Sequence, residues 1–428
     1  MEGSIGPGNA RTSRLSGSNS CGKMAREWRV EASDSAKNSR NLIREAVANI
    51  LVPEDFPRQK YSLALGDPSC FPEFATHQGI VEAVAQELSS GQSNGYIAST
   101  GPDESKVSLA KYYSNANFDL TKNDVIMDVG CSGAIATVIN CIVNPGDNIL
   151  IPTPGFPLYV IVSHNRGIET RAYRLQPDHL WEADIAHLES LIDDRTKLLV
   201  IVNPSNPCGS VYSRDHLLQL LEVASRHRIP VLADEVYGKM SFSVPFVSLG
   251  ELTTEVPVFL VGGLAKRWLV PGWRVGWIVI YDKLDLAQGI REAIIKVKNI
   301  MLHPVTFLAK AVPRILEAVP EEFFTEILQK LKRNADYLYG RVQRVPGLTM
   351  SMPQGAMYCM VNIDLERLRD VTSSRDFAEK LAREQGVVVL PGECFLSTSS
   401  FRIVLCNPQE VLGECFDRIE VFLQVHAK

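Results

Sequence analysis

Residues 256–274 read Val256-Pro257-Val258-Phe259-Leu260-Val261-Gly262-Gly263-Leu264-Ala265-Lys266-Arg267-Trp268-Leu269-Val270-Pro271-Gly272-Trp273-Arg274. The apolar run Val256–Val261 has no alternation of polar and apolar residues, so it predicts a strand covered on both faces. Two glycines end it, with a lysine close behind. The same grammar recurs on either side. Upstream, Asp124–Val129 runs into Gly130-Cys131-Ser132-Gly133 and the apolar-rich segment 134–143. Asn148–Pro152 is a further run. Leu198–Val202 ends in Asn203-Pro204-Ser205-Asn206-Pro207-Cys208-Gly209, and Pro230–Ala233 ends in Asp234-Glu235-Val236-Tyr237. Downstream, Trp277–Ile280 supplies a sixth strand. His216–Arg226 reads as a helix between strands. The pattern predicts an α/β fold, a large domain with a mostly parallel central sheet and crossover helices.

The C-terminal third reads as a smaller α/β domain. Glu321–Arg344 carries Phe324, Ile327, Leu328, Leu331, Leu338 and Val342 at helical spacing. Met357–Ile363, Val387–Leu390 and Phe401–Leu405 are expected strands, with a helix at Phe377–Glu384. Near the N-terminus, Lys60–Leu65 reads as a short strand entering the turn Gly66-Asp67-Pro68, and residues 79–90 as an amphipathic helix. Ser33–Ile43 is polar and mixed. Residues 1–23 are rich in Gly and Ser and cannot pack a core, so disorder is expected; a weak organellar targeting segment is the alternative. The expected division is a tail over 1–30, an N-terminal segment 31–75 that joins the small domain, a large domain 76–310 and a small domain 311–428.

Composition narrows the function classes. The chain has 428 residues, 45% hydrophobic and 22% charged, with a formal net charge of -5. That balance lacks the basic footprint of a nucleic-acid binder. No apolar run reaches the length of about 18 residues that a membrane-spanning helix needs, and no secretory signal is evident. Nine cysteines without a C-x-x-C pair favour a reducing, cytoplasmic setting and predict no metal site.

Chemistry is expected beyond the carboxyl ends of the strands. Gly130-Cys131-Ser132-Gly133 opens a helix whose free N–H groups suit an anion. The two Asn-Pro pairs make a stiff turn, because a residue before proline is held extended. Asp234 comes directly after an apolar strand, where an acid is often only a helix cap. Lys266 comes after another, where a lysine is usually a solvated residue. Each feature alone has this ordinary structural reading. Asn206, Asp234, Lys266 and Arg274 in succession, each past a strand end, do not.

In that succession the chain resembles the fold-type I, pyridoxal-phosphate-dependent aminotransferases, over roughly residues 33–425. GGLAKRWLVPGWR at 262–274, NPSNPCGS at 203–210 and PTPGFPLY at 152–159 make it similar, within that family, to the tyrosine aminotransferases. The resemblance implies pyridoxal 5′-phosphate bound covalently to Lys266, whose freed amine then serves as general base. It implies that Asp234 faces the pyridine nitrogen, that Asn206 and Tyr237 reach the 3′ oxygen, and that Phe156 stacks on the ring. Arg274, eight residues past Lys266, and Cys131 and Ser132 would hold the phosphate. Tyr96 would reach the phosphate of a neighbouring subunit, making the active site shared across a homodimer. Arg402 would grip the substrate α-carboxylate, helped by Gly66 and Asn206.

The implied reaction is transamination of an aromatic L-amino acid, tyrosine first, then phenylalanine or tryptophan, with 2-oxoglutarate or another 2-keto acid as acceptor. The same scaffold also hosts carbon–sulfur lyases, decarboxylating aldehyde synthases and cyclopropane-forming synthases, and a non-catalytic cofactor-binding regulator is a remote alternative. Phe71 and Phe74 are candidates for an aromatic pocket wall, with core packing the other reading. Two departures stand out. Gly263 occupies a position where many aminotransferases carry a phosphate-contacting serine. Asn41-Leu42-Ile43-Arg44 replaces a common Asn-Pro-Ile-Arg near the site entrance.

Overall fold

Each of the six apolar runs forms a strand in the computed structural model, which describes residues 30–428. The expected tail and its targeting segment therefore lie outside the described residues, apart from Val30. In chain order the strands are Tyr61–Ser62 (β1), Val125–Val129 (β2), Asn148–Thr153 (β3), Glu169–Gln176 (β4), Glu182–Ala183 (β5), Thr196–Val202 (β6), Val231–Asp234 (β7), Val258–Gly263 (β8), Val275–Tyr281 (β9), Leu348–Thr349 (β10), Tyr358–Ile363 (β11), Val387–Val388 (β12), Leu390–Pro391 (β13) and Ser400–Val404 (β14).

Eight of them form one sheet in the order β2-β9-β8-β7-β6-β3-β4-β5. The run β8-β7-β6-β3-β4 is parallel. β9 is antiparallel to both β8 and β2. Two reversals restore direction, so β2 runs the same way as β8. The turn from β8 to β9 therefore sits on the same sheet edge as the carboxyl ends of β2, β3, β6 and β7. Apolar side chains fill both faces of the sheet. Leu199, Ile201, Val231, Ala233, Val258 and Leu260 belong to one buried cluster, and Leu198, Val200, Leu232, Phe259 and Val261 to the other. That double burial is why these strands lack alternation.

A second, smaller sheet has the order β10-β11-β14-β13 and is antiparallel throughout. The stretch expected as one strand over 387–390 is divided. β12 pairs in parallel with β1, while β13 pairs with β14. The backbone of Leu63 bridges these units, donating to Val388 O and accepting from Val404 N. The strand expected over 60–65 is only two residues long, matching the two residues of its partner β12.

The helix Glu321–Val342 buries Phe324, Ile327, Leu331, Leu338 and Val342 as its spacing required, while Leu328 is only partly buried. Its buried Asn334 donates to the carbonyls of Leu405 and Asn407, just past β14. Helices at Asp103–Tyr113, Gln288–Met301, Thr306–Ala318 and Gln409–His426 were not among the sequence expectations, although Leu412, Cys415, Phe416, Ile419, Phe422 and Leu423 of the last follow helical spacing. Pro313 lies inside the third, and the first buries only Ser105, Lys106, Leu109 and Ala110. The polar stretch 33–43 contains a short helix, Asp34–Asn38, and the start of another, Leu42–Asn49. Ser33 and Asn41 cap their amino ends through side-chain oxygens, a local signal that hydrophobic periodicity does not carry.

Candidate active site

The edge defined by β2, β3, β6, β7, β8 and the start of β9 gathers most of the expected residues. The helix Gly130–Ile142 begins directly after β2, and no side chain caps its amino end. Its first N–H groups are therefore available to an anion. Arg274, the residue before β9, is held at φ 54° and ψ 43° in the left-handed region. A non-glycine residue there costs about 1 kcal/mol or more, which is tolerated where the surroundings demand it. Here it sets the guanidinium over Gly130: a Cβ at Gly130 would lie 2.5 Å from Arg274 Nη2. Arg274 is exposed, and its guanidinium donates to Pro271 O at 3.2 Å. Gly276 makes the same junction possible, because a Cβ on it would come within 2.5 Å of Cys131 N. Ser132 is the next residue and is half-buried.

Asp234 ends β7 and is buried. Oδ2 accepts a 2.6 Å bond from Tyr159 OH. Oδ1 accepts from Val236 N at 3.2 Å and from the Cys131 thiol at 3.6 Å. Burial pushes the carboxyl above its usual range, and the three donors oppose that only in part. A cationic ligand group beside it would relieve the cost. Phe156 stands edge-on to Tyr159, with ring centroids 6.2 Å apart.

Lys266 lies three residues past β8. Its Nζ donates to Gly66 O at 2.8 Å and sits 5.8 Å from the centre of the Tyr237 ring. The contact at Gly66 is thus made by its carbonyl. The Tyr237 hydroxyl bonds to Tyr358 OH at 2.9 Å. Both Asn-Pro bonds of the 203–207 turn are cis, and Asn206 faces the small sheet. Its Oδ1 accepts from Arg402 Nη1 at 3.0 Å.

Arg402, in the middle of β14, is buried. Its hydrogen-bond partners among the described residues are Asn206 Oδ1 and Ala64 O, both neutral, and its Nε has none. The guanidinium lies 4.2 Å from the Tyr358 ring centre and 5.0 Å from that of Phe395. Burial lowers its pKa. A buried guanidinium with no carboxylate partner is costly, and a ligand carboxylate would relieve it.

These features fit one elongated ligand: an anion at Gly130 and Arg274, a cation at Asp234, a group reactive toward the Lys266 amine, and a carboxylate at Arg402. Tyr96 stands apart. It is 90% exposed, and no hydrogen bond among the described residues ties it to this cluster. Phe74 is 1% exposed and belongs to the core; Phe71 is half-buried against it. Two contacts escaped sequence reasoning. Tyr159 lies in the stretch that yielded Phe156, three residues on and almost one helical turn away. Tyr358 gave no signal, since an aromatic residue at a strand start reads as core. Among the described residues, no cluster suits a metal ion and no helix is long and apolar enough to cross a membrane.

Comparisons with known proteins agree with the fold. Residues 58–419 match the family described as aminotransferase class I and II. Tyrosine aminotransferase of Mus musculus is 42% identical over 407 residues, 95% of this chain and 89% of that protein. Nicotianamine aminotransferase A of Hordeum vulgare is 37% identical over 93% of this chain and 88% of its own length. The crystal structure of tyrosine aminotransferase from Leishmania infantum superposes with a TM-score of 0.90 at 31% identity, covering 94% of this chain and all of that one. The chain belongs to the class I and II aminotransferases.

Proposed function

We propose that the chain is a pyridoxal-5′-phosphate-dependent aminotransferase acting on an aromatic L-amino acid, tyrosine first and then phenylalanine or tryptophan, with 2-oxoglutarate or another 2-keto acid as acceptor. The observation that carries the reading is Arg402, a buried guanidinium with only neutral partners on the wall that faces Lys266. A non-catalytic cofactor binder has little reason to keep that cost. The tyrosine preference rests on the relatives named above.

When bound, the cofactor supplies an electron sink for the substrate Cα. The chain's residues do the rest. Lys266 would hold the cofactor covalently, and its freed amine would take the proton from the substrate Cα. Asp234 holds a proton on the cofactor's ring nitrogen, an ion pair that replaces its unfavourable burial. Arg402, with the backbone of Gly66 and the side chain of Asn206, orients the α-carboxylate. Asn206 and Tyr237 donate to the 3′ oxygen, and Phe156 covers a ring face. Arg274 and the amino end of the helix at Gly130, with Cys131 and Ser132, hold the phosphate. Tyr96 completes that phosphate site in a partner subunit. Exposed Ile300 and Met301 lie near it in the fold, since Ile97 N bonds to His303 and Thr306 to Gly95 O; such a patch supports a homodimer. The reading keeps a large domain at 76–310 and a small domain at 311–428 joined by segment 31–75. Eight unpaired cysteines among the described residues support the cytoplasm as its compartment.

The test is the half-reaction. Purified, cofactor-loaded protein is mixed with single amino acids, nicotianamine included, without keto acid, and visible absorbance is monitored. Stoichiometric conversion by tyrosine, reversed by 2-oxoglutarate, is expected. Release of ammonia or carbon dioxide without reversal would move the enzyme to the lyase or decarboxylase reading.

A further inference from the structure

Tyr358 touches three parts of the site at once. Its hydroxyl bonds to Tyr237 OH at 2.9 Å, and the two rings meet edge-on with centroids 5.7 Å apart. Its ring lies under the Arg402 guanidinium, 4.2 Å from centre to centre. A Cβ at Gly66 would come within 2.4 Å of its hydroxyl, so glycine is the one residue type at position 66 that lets the phenol reach this place without displacement. The register β11 to β14, Tyr358 opposite Val404 and Met360 opposite Arg402, fixes the ring beside the arginine.

The two hydroxyls share a single hydrogen bond, and either could donate. The Tyr358 hydroxyl has no other hydrogen-bond acceptor among the described residues. Burial holds the Tyr237 phenol well above its usual range, so it keeps its proton. If Tyr358 donates to Tyr237, the Tyr237 proton is free to point at a ligand oxygen. If Tyr237 donates to Tyr358, it is not. A donated bond also polarises the receiving phenol and makes it a stronger donor in turn.

We infer that Tyr358 is a positioning residue: its hydroxyl donates to Tyr237, directing the Tyr237 proton to the cofactor's 3′ oxygen, while its ring supports Arg402 against the substrate carboxylate. The inference rests on the cofactor reading above. It makes one small-sheet side chain hold the cofactor-tuning phenol and the carboxylate grip together.

Tyr358→Phe separates the two roles, because it removes the hydroxyl and keeps the ring. The first readout is spectroscopic: the pH midpoint of the change in visible absorption of the loaded enzyme, without substrate. A weaker donor leaves more charge on the 3′ oxygen and holds the cofactor's proton more tightly. The midpoint is expected to rise by about half a pH unit, and Tyr237→Phe to raise it further. Adding Tyr358→Phe to Tyr237→Phe should change nothing more. The second readout is the dissociation constant of an unreactive aromatic carboxylate, 3-phenylpropionate. Tyr358→Phe should leave it within about twofold, whereas Tyr358→Ala should weaken it about tenfold through loss of the ring under Arg402. An unmoved midpoint in Tyr358→Phe, with Tyr237→Phe shifted, overturns the hydroxyl's role and leaves the cofactor site standing. Unmoved midpoints in both variants overturn the placement of Tyr237 at the 3′ oxygen as well. Equal affinity of Tyr358→Ala and wild type for 3-phenylpropionate overturns the ring's role.

Discussion

The two walls of the site use arginine in opposite ways. On the large-sheet edge, Arg274 is exposed, strained at φ 54°, and laid over a helix amino end that already favours an anion. On the small-sheet wall, Arg402 is buried in an extended strand between two aromatic rings, with only neutral acceptors in reach. On the proposed reading, the first site would bind by adding charge to an existing backbone cradle. The second would bind because an incoming carboxylate relieves a desolvation cost already present. The difference predicts a division of labour: the large-sheet edge retains the cofactor, and the small-sheet wall selects the substrate.

Lys266→Ala should erase the distinction, since both walls serve its amine. Turnover is expected to fall by at least about a thousandfold, with loss of the visible cofactor band; steady-state transamination near the wild-type rate would sink the assignment. Arg402→Ala should cost about 3 kcal/mol, roughly a hundredfold in kcat/KM, with cofactor retention unchanged. Arg402→Lys keeps the charge but loses the fork and should recover only part of it. Arg274→Ala should do the reverse, weakening cofactor retention by about 2 kcal/mol while KM in excess cofactor stays close to wild type. Dialysis against buffer and then reloading reads the two effects separately. Arginine variants that each moved both quantities equally would show that the walls are not independent.

The walls also differed in how far the sequence exposed them. The large-sheet edge was legible because a doubly buried strand must read as an unbroken apolar run, and the residues just past that run stand at the sheet edge in space. Asn206, Asp234, Lys266 and Arg274 were found that way. The feature that stayed hidden there was β9's reversal, since a run buried on both faces looks the same in either direction. The small-sheet wall gave little. Arg402 lies within β14, where nothing local separates it from an ordinary strand arginine, and only the resemblance singled it out. Tyr358 was missed for the same reason, its role being set by a pairing with β14 more than 40 residues away. Tyr159 was missed because its partner, Asp234, is 75 residues distant in sequence.

Gly263 sharpens the comparison at smaller cost. Many enzymes of this family carry serine there, and a serine hydroxyl would add a donor to the anion cradle. A Cβ at this position would lie 2.7 Å from Val275 O and 3.2 Å from Gly276 Cα, both backbone atoms of β9. They cannot yield without moving the strand that presents Arg274. Gly263→Ser is therefore expected to destabilise the protein by about 2 kcal/mol and to loosen the cofactor. Tighter cofactor retention at an unchanged melting temperature would show that the edge is more compliant than its packing indicates.

The smallest expected effect uses two neighbouring acids whose carboxyls make different contacts. Glu235 is next in the chain after Asp234 and is also buried, with Ser248 Oγ and Leu249 N as donors. Burial pushes its carboxyl up to about 8 from an ordinary 4.5. Asp234 is raised for the same reason. In each case the folded chain binds its carboxyl proton more tightly than the unfolded chain does. Their contribution is therefore complete below the unfolded value and is lost as pH rises toward the folded one. For Glu235 that window runs from 4.5 to about 8, with a limiting slope of roughly 1 kcal/mol per pH unit. Cofactor loading should cancel the Asp234 share, because the ring nitrogen then pairs with its carboxylate. The Glu235 share should survive loading, since that carboxyl is already occupied by Ser248 and Leu249. Melting curves from pH 4 to pH 8 on apo, loaded and Glu235→Gln protein separate the two. Loading should flatten the slope in part, and Glu235→Gln should flatten the remainder. A loaded enzyme as pH-dependent as the apo form would mean that Asp234 does not meet a cation, and the division between a cofactor-holding edge and a substrate-selecting wall would lose its central contact.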